Sequence, residues 1–133
     1  MNQNLPDNSK ERHVHQGTSS DDIIHGTDRD DIIFGYSGND ILTGGKGNDT
    51  LYGGKGNDFY IYHPGDGYDR IEDEEGTDTL ILKQIWRKEV TLKLREDGFH
   101  LVFYKGEPIV EMRGVDYVQT EDGCWSVERQ WGL

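Results

Sequence analysis

The sequence predicts an all-β protein that consists of an array of short strands followed by a second, smaller set of strands. Two observations support this prediction. Residues 17–81 repeat a nine-residue pattern, which indicates a stacked, repetitive architecture. After residue 81 this period is lost, and apolar residues alternate with polar ones, which is typical of half-buried strands.

The repeat begins with five segments of nine residues that follow one another without a gap from Gly17. Each segment has glycine first, aspartate sixth and isoleucine, leucine or tyrosine eighth. The segments read GTSSDDIIH, GTDRDDIIF, GYSGNDILT, GGKGNDTLY and GGKGNDFYI. After two inserted residues, Tyr62 and His63, the pattern returns as PGDGYDRIE and then as the degenerate copy DEEGTDTLI.

The residue types in one segment suit a cation-binding turn. Glycines at the first, second and fourth positions allow positive φ angles and let backbone carbonyl groups approach an ion closely. The aspartate supplies a carboxylate, and calcium takes roughly six to eight oxygen ligands from carboxylates and carbonyls. The apolar eighth residue begins a short strand with its side chain pointing inward.

This pattern resembles the GGxGxDxUx nonapeptide repeat of RTX, or hemolysin-type, proteins, a family of secreted bacterial toxins, proteases and epimerases. The resemblance implies a parallel β-roll, which is a right-handed β-helix of nonapeptide repeats, and the binding of several Ca²⁺ ions. In that family one repeat forms one turn and one strand, two repeats complete a coil, and ions lie between repeats that are two apart.

The resemblance therefore implies two columns of metal ligands. One column contains Asp22, Asp40, Asp58 and Asp78, and the other contains Asp31, Asp49 and Asp69. The turns would add backbone oxygens, for which the candidate residues are Gly35, Gly38, Gly44, Gly45, Gly47, Gly53, Gly54 and Gly56.

The repeats depart from the consensus near their two ends. The first two turns lack glycine at the second and fourth positions and contain Thr18, Ser20, Thr27 and Arg29 instead. We expect weak or empty ion sites in these two turns. The insertion of Tyr62 and His63 puts the geometry of the following turn in question. The strongest sites are expected between Asp31, Asp40, Asp49 and Asp58.

Residues 1–16 and 82–133 flank the roll, which is predicted to span 17–81. The first segment is polar, lacks the apolar centre of a cleaved signal peptide and is interpreted as a flexible tail. The second is interpreted as a C-terminal cap of antiparallel β-hairpins, with strands near 90–94, 99–104 and 109–112. Its stretch from Leu92 to Phe103 and its Asp122–Ser126 turn are similar to the segment that often follows RTX arrays, where a secretion signal is found. We expect the end of the roll to be covered by Trp86, Phe103, Trp125 and Trp131.

Composition excludes several classes of partner. The chain has 26 acidic and 14 basic residues and a net charge of −12, so it should repel nucleic acid and anionic membranes and attract cations. No apolar stretch is long enough to span a bilayer. The single cysteine, Cys124, excludes an internal disulfide bond and is interpreted as a packing residue.

Other clusters have alternative interpretations. The acidic run 73–75 either extends ion binding or is a solvated loop, and we favour the loop. His13 and His15 are interpreted as part of the tail rather than as metal ligands. Outside the repeat we find no paired acid and base, so we do not expect an enzyme.

The sequence thus predicts a non-catalytic calcium-binding β-roll module of a secreted bacterial protein, which folds when it binds calcium outside the cell. The resemblance adds the type I secretion machinery as a partner. The alternatives are a terminal fragment of a larger toxin or protease, or a polysaccharide-binding module like the repeat modules of alginate epimerases. The exposed candidates for polysaccharide binding are Tyr36, Lys46, Tyr52 and Lys55.

Overall fold

The computed structural model describes residues 13–128, which are β-structure almost throughout. Thirteen strands in this part of the chain form one seven-stranded and one six-stranded sheet, and a short 3-10 helix covers Arg87–Glu89. The strands are β1 (His13–Gln16), β2 (Ile23–His25), β3 (Asp31–Phe34), β4 (Ile41–Thr43), β5 (Thr50–Tyr52), β6 (Phe59–Tyr62), β7 (Asp69–Glu72), β8 (Thr79–Leu82), β9 (Val90–Leu94), β10 (His100–Tyr104), β11 (Glu107–Arg113), β12 (Tyr117–Thr120) and β13 (Gly123–Ser126).

The first eight strands wind between the two sheets. Strands β1, β3, β5 and β7 pair in parallel on one side, and β2, β4, β6 and β8 pair in parallel on the other. Within the five ungapped repeats, paired residues are two repeats apart; for example, Ile33 pairs with Leu51 and Leu42 pairs with Tyr60. Two repeats therefore complete one coil. The predicted parallel β-roll is confirmed.

The core lies between the two sheets and is made by the eighth residue of each repeat. Successive side chains of a strand point to opposite faces, so this residue points inward while the seventh points outward. The fully buried side chains of this core column are Ile33, Leu42, Leu51, Tyr60, Ile71 and Leu80. At the start of the roll the column weakens, because Ile24 is only partly buried.

The insertion after the fifth repeat is absorbed without loss of strand register. Strand β6 runs on to Tyr62, and the Asp66 N–H donates to the His63 carbonyl at 3.0 Å in the turn that follows. Strand β7 then pairs with β5 through Leu51 and Ile71, a separation of 20 residues rather than 18. The extra residues lengthen the connection between the sheets and leave the coil intact.

The last four residues of the segment predicted as a flexible tail form a strand. Residues 13–16 form strand β1, which pairs with β3 from His13 opposite Asp31 to Gln16 opposite Phe34. The seven-stranded sheet therefore begins before the first glycine repeat, because the backbone of β3 offers an edge that a neighbouring strand can pair with. Residues 1–12 lie outside the described residues.

The C-terminal part forms the antiparallel hairpins that the alternation predicts, since β10 pairs with both β9 and β11, and β12 pairs with β13. Two of these strands also continue the roll. Strand β11 pairs in parallel with β7, and β12 pairs in parallel with β8. The predicted boundary at residue 82 falls at the end of β8. Roll and cap therefore share both sheets.

An arginine cluster around Phe99 joins the cap to the roll. The guanidinium groups of Arg70, Arg95 and Arg113 lie 4.2, 5.4 and 4.5 Å from the centre of the buried Phe99 ring. Glu111 forms ion pairs with both Arg70 and Arg95. Since Arg70 belongs to β7 and the other residues to the cap, these contacts help to fix the two parts together.

The residues expected to cover the end of the roll contribute unequally. Trp125 packs partly buried against the core, whereas the Trp86 side chain is 49% exposed. Trp131 lies outside the described residues. None of the helices among residues 13–128 has the length and apolar character needed to cross a membrane.

The core column makes a stability prediction. We expect Leu51→Ala to lower the free energy of unfolding by about 2–5 kcal/mol, because it removes buried side-chain volume and leaves a cavity. Leu94→Ala is the matched control, since Leu94 is 62% exposed at the end of β9. Denaturant titration of both variants in calcium-containing buffer measures the difference. Equal losses for the two variants would contradict the placement of the core.

Candidate metal centre

The sixth-position aspartates stack in two columns. One column runs along the N-terminal ends of the parallel strands of each sheet. In the column next to the six-stranded sheet, each backbone N–H donates to the carboxylate of the aspartate one coil further on. The bonds run from Asp22 to Asp40, from Asp40 to Asp58 and from Asp58 to Asp78, each at 2.8 Å to Oδ1. Backbone amides thus hold the carboxylates in line.

The second column follows the same rule on the other side of the roll. The Asp31 N–H donates to Asp49 Oδ1 at 2.8 Å, and the Asp49 N–H donates to Asp69 Oδ1 at 3.0 Å. The structure therefore brings together the seven predicted aspartates in the two sets that the resemblance implies. Asp69 keeps its place despite the insertion before it.

Each column carries carboxylate oxygens that lack a donor. In the described part of the chain, the Oδ2 atoms of Asp40, Asp49, Asp58 and Asp78 are buried and accept no hydrogen bond. A buried charged oxygen without a partner is costly, because it has lost its water and gained nothing in return. These four atoms fit a cation, since a divalent ion supplies the missing charge to oxygen ligands.

Glycine at the first repeat position makes room for these oxygens. A Cβ atom on Gly35, Gly44 or Gly53 would lie 2.6, 2.5 or 2.5 Å from the Oδ2 atom of the aspartate in its own repeat. Such approaches are too short for any side chain. Glycine is therefore required at the first position because the aspartate carboxylate of the same repeat points toward it.

Backbone carbonyls of one turn face the turn stacked on it. The glycines at the second and fourth positions adopt positive φ and lie against these oxygens; a Cβ on Gly45 would be 2.8 Å from the Thr27 oxygen, and one on Gly47 would be 2.6 Å from the Arg29 oxygen. The predicted glycines that share this arrangement are Gly38, Gly45, Gly47, Gly54 and Gly56. Carbonyl and carboxylate oxygens together form the ligand set that calcium prefers.

Tyr36 takes the second position of the third repeat with a φ of 68°, close to the 81° of Gly45 and Gly54. A residue with a Cβ rarely adopts this conformation. The turn that begins at Gly35 therefore has the same backbone shape as the glycine-rich turns after it, although its sequence is GYSG rather than GGKG.

The first two turns satisfy their carboxylates with protein donors instead. The Thr18 N–H donates to Asp22 Oδ2 at 2.7 Å, and the Thr27 N–H donates to Asp31 Oδ2 at 2.7 Å. Each threonine hydroxyl adds a further bond to the same carboxylate, at 3.0 Å to Oδ1. A carboxylate with these donors is stabilised less by an ion. We therefore still predict weak or empty ion sites in these two turns.

His15 adds another donor group at the start of the roll. Its Nε2 atom lies 3.0 Å from Asp31 Oδ1. Burial alone would raise the pKa of Asp31, but the Thr27 N–H and the His15 and Thr27 side chains outweigh it and hold that pKa below its ordinary value. Histidine 15 was interpreted from the sequence as part of a tail.

The later aspartates show the opposite behaviour. Burial raises the pKa of Asp49 and Asp58 to about 8 and that of Asp69 and Asp78 to about 9, with neighbouring carboxylates adding to the effect. Without a cation these groups therefore favour their protonated form near neutral pH. A bound cation would reverse this preference by compensating the negative charge.

Sequence analysis missed one member of the first column, Asp116, and gave ion binding by Asp73 only as the less favoured of two interpretations. Asp116, just before β12, accepts a hydrogen bond from the Asp78 N–H at 2.9 Å and so extends the column into the cap. No nine-residue period connects it to the repeats. Asp73 was assigned to a solvated loop, but it is only 7% exposed and accepts a bond from the Tyr60 hydroxyl at 2.5 Å. The sequence signal for its inward placement was that Asp73 is the first residue of its repeat, the position that glycine takes in the first five repeats.

One family model matches the repeats of this chain. The model of a family described as the RTX calcium-binding nonapeptide repeat (4 copies) matches residues 16–51 and 34–62. No curated protein matches the chain. A solved structure of a subunit of the mannuronan C5-epimerase of Azotobacter vinelandii is similar, with 21% identity, a TM-score of 0.44, and coverage of 82% of this chain and 79% of that one.

The raised pKa values predict how the metal-free chain responds to pH. A folded carboxyl with a raised pKa binds a proton that the unfolded chain releases near pH 4, so the stability that this group contributes is greatest below about pH 4 and is lost as pH rises through about 8–9. We expect the β signal in circular dichroism of the calcium-free chain to be larger at pH 5 than at pH 9.

Asp69→Asn should make this pH dependence weaker, because asparagine does not titrate, while Asp49, Asp58 and Asp78 still do. Asp28→Asn removes the same charge from an exposed turn residue and should leave the profile unchanged. A metal-free β signal that grows between pH 5 and pH 9 would contradict the prediction.

Proposed function

We propose that the protein is a non-catalytic calcium-binding module whose β-roll folds as it binds several Ca²⁺ ions, because residues 16–62 match the model of the RTX calcium-binding nonapeptide repeat. The ligands in this proposal are the two aspartate columns and the backbone oxygens of the turns from Gly35 onward. The column residues are Asp22, Asp31, Asp40, Asp49, Asp58, Asp69 and Asp78.

One observation carries the proposal. Four buried carboxylate oxygens have no donor, and they occur in the turns that begin at Gly35, Gly44, Gly53 and Asp73. In the turns from Gly17 and Gly26, threonine groups donate to the equivalent oxygens. The first coil thus has protein donors for its carboxylates, whereas carboxylate oxygens in the later coils have none. This is the pattern expected if a cation binds to the later turns.

Calcium binding and folding are coupled in this proposal. The aspartates of one column lie close enough for neighbouring carboxylates to raise each other's pKa, so their charges oppose the stacking of the coils. The ligands of one ion come from stacked coils and are assembled only in the folded roll. Ion binding therefore stabilises the folded state alone, and its free energy becomes folding free energy.

We place this folding outside the cell. Calcium modules of extracellular proteins bind at about 0.1–1 mM, and a roll with such affinity stays unfolded where calcium is scarce. An unfolded chain is compatible with export by the type I secretion machinery, the partner that the repeats suggest. The millimolar calcium of the exterior would then drive the roll to fold.

A calcium titration tests the proposal. We expect the circular dichroism of the full chain in EDTA to show little β structure, and the β signal to appear at about 0.1–1 mM free calcium. Magnesium at the same concentration should be a poor substitute, because it demands near-octahedral geometry and gives up its water reluctantly. A β spectrum that is identical in EDTA and in calcium would overturn the proposal.

A matched pair of variants tests the columns. Asp49→Asn removes a buried ligand and should raise the calcium midpoint at least about 10-fold, the loss that is typical even of residues that only support a ligand. Asp28→Asn makes the same chemical change at an exposed position and should leave the midpoint unchanged. Equal midpoints for the two variants would remove Asp49 from the ligand set.

A second candidate function, polysaccharide binding, is favoured by one surface feature. The rings of Phe34 and Tyr52 are stacked with their centres 5.0 Å apart, and the ring of Tyr36 stacks on Phe34 with a distance of 5.9 Å between centres. These rings line a groove of about 360 Å³ together with Glu72 and Arg113. Flat aromatic surface beside a few polar groups is typical of ligand grooves. The candidates Lys46 and Lys55 do not line this groove.

Affinity electrophoresis tests this second function. If it is correct, a polysaccharide in the gel should retard the wild-type chain in the presence of calcium, and Tyr52→Ala should abolish the retardation. Tyr117→Ala is the control, because Tyr117 is exposed on β12, outside the groove. Equal mobility of the wild type with and without polysaccharide would exclude it for that polymer.

A further inference from the structure

The last turn of the first aspartate column departs from the repeat in a way that creates a different kind of site. Asp73 occupies the position that glycine takes in the first five repeats. Its side chain is buried beside Asp58 and Asp78, both of which are completely buried. Within residues 13–128, this is the cluster in which three acidic side chains bring ligand atoms within 4.8 Å of one another.

The oxygens of this cluster converge on a space that Gly53 leaves open. A Cβ atom on Gly53 would lie 2.5 Å from Asp58 Oδ2 and 2.6 Å from Asp73 Oδ2, and it would also meet the Tyr60 hydroxyl. The Oδ2 atoms of Asp58 and Asp78 are buried and accept no hydrogen bond. The cluster is therefore more than a group of acidic residues, since two of its oxygens are vacant acceptors.

The donors that reach the cluster are neutral. The Asp40 N–H donates to Asp58, the Asp58 N–H donates to Asp78, and the Glu75 N–H donates to Asp73 at 3.3 Å. The Tyr60 hydroxyl, inside the core, donates to Asp73 Oδ2 and holds that carboxylate in place. These groups orient the three carboxyl groups and bring no positive charge to them.

We propose that Asp58, Asp73 and Asp78 form a calcium site that binds more tightly than the other intervals of the two columns. The proposal rests on the proposed function and names its strongest site. Other intervals offer two column carboxylates, whereas this one offers three, and the number of charged ligands is a main determinant of calcium affinity. The all-oxygen ligand set favours calcium over transition metals that prefer nitrogen or sulfur.

The same cluster lies where roll and cap meet. The Asp73 N–H donates to the Arg113 carbonyl at 2.9 Å, and the Asp78 N–H donates to Asp116 of the cap. An ion held by Asp73 and Asp78 therefore stabilises the backbone segments on which β11 and β12 are paired. The tightest site is placed at the junction rather than in the glycine-rich centre of the array.

Isothermal titration calorimetry of the full chain with calcium chloride tests the proposal. For the wild type we expect one ion to bind at least about 10-fold more tightly than the remaining ions. Asp73→Asn should remove this tight step and leave the weaker steps in place. Glu75→Gln is the matched control, since it removes one charge from an exposed residue of the same turn and should retain the tight step.

A second variant separates loss of the site from loss of the fold. Asp73→Gly restores the residue that the first five repeats have at this position, so the turn should form and calcium-dependent circular dichroism should persist while the tight step disappears. A tight step that survives in both Asp73 variants would overturn the proposed site.

The outcomes also distinguish this site from the proposed function. Calcium-dependent folding of the wild type with equivalent ions throughout would overturn the tight site alone. A tight step lost in the Asp73 variants, with a β spectrum that calcium never changes, would support the site and overturn the coupling of binding to folding. A wild type that takes up no calcium would overturn both.

Discussion

The structure depends on columns of stacked aspartates that backbone hydrogen bonds hold in line. Each coil places a carboxylate directly above the carboxylate of the coil before it, and a backbone N–H of one aspartate holds Oδ1 of the next at 2.8–3.0 Å. This hydrogen bond fixes the distance between coils and the direction of Oδ2. The same bond therefore aligns the strands of both sheets, and at Asp40, Asp49, Asp58 and Asp78 it leaves a second oxygen without a donor. The register of the strands, the first glycine of the first five repeats and the buried oxygens without a donor all follow from this arrangement.

The two ends of the roll show how a protein stops such a column. At the start, Thr18, Thr27 and His15 provide donors that depend on no ion, and β1 covers the edge of β3. At the other end, Asp116 and the parallel pairing of β11 and β12 continue the pattern for one more coil before antiparallel strands close it. An open roll would expose unpaired strand edges and a row of apolar side chains, so both ends require residues that lie outside the repeat.

The sequence predicts those features that the nine-residue period determines. The period assigns Leu51 to the core and Asp49 to a turn, and both placements depend only on neighbours 18 to 20 residues away. Features that depend on distant segments could not be predicted in this way. Strand β1 has no repeat motif, Asp116 joins a column whose previous member is 38 residues earlier, and the arginines around Phe99 come from three strands or turns. Asp73 was expected to be solvated because acidic runs commonly are. It is buried instead, because it takes the repeat position at which the first five repeats have glycine.

These observations together describe a roll in which the supply of hydrogen-bond donors to the aspartates changes along its length. The first coil satisfies its carboxylates with peptide and hydroxyl donors, and Asp31 keeps a pKa below the ordinary value. The following coils lack such donors, and their buried carboxyl groups have raised pKa values. At the junction with the cap, Asp73 adds a third carboxylate to the column. An array of identical repeats would need a cation equally at every turn. Here, substitutions at the first and second repeat positions supply protein donors at one end of the roll and a third carboxylate at the other, so the order of the coils carries information that the repeat motif alone does not.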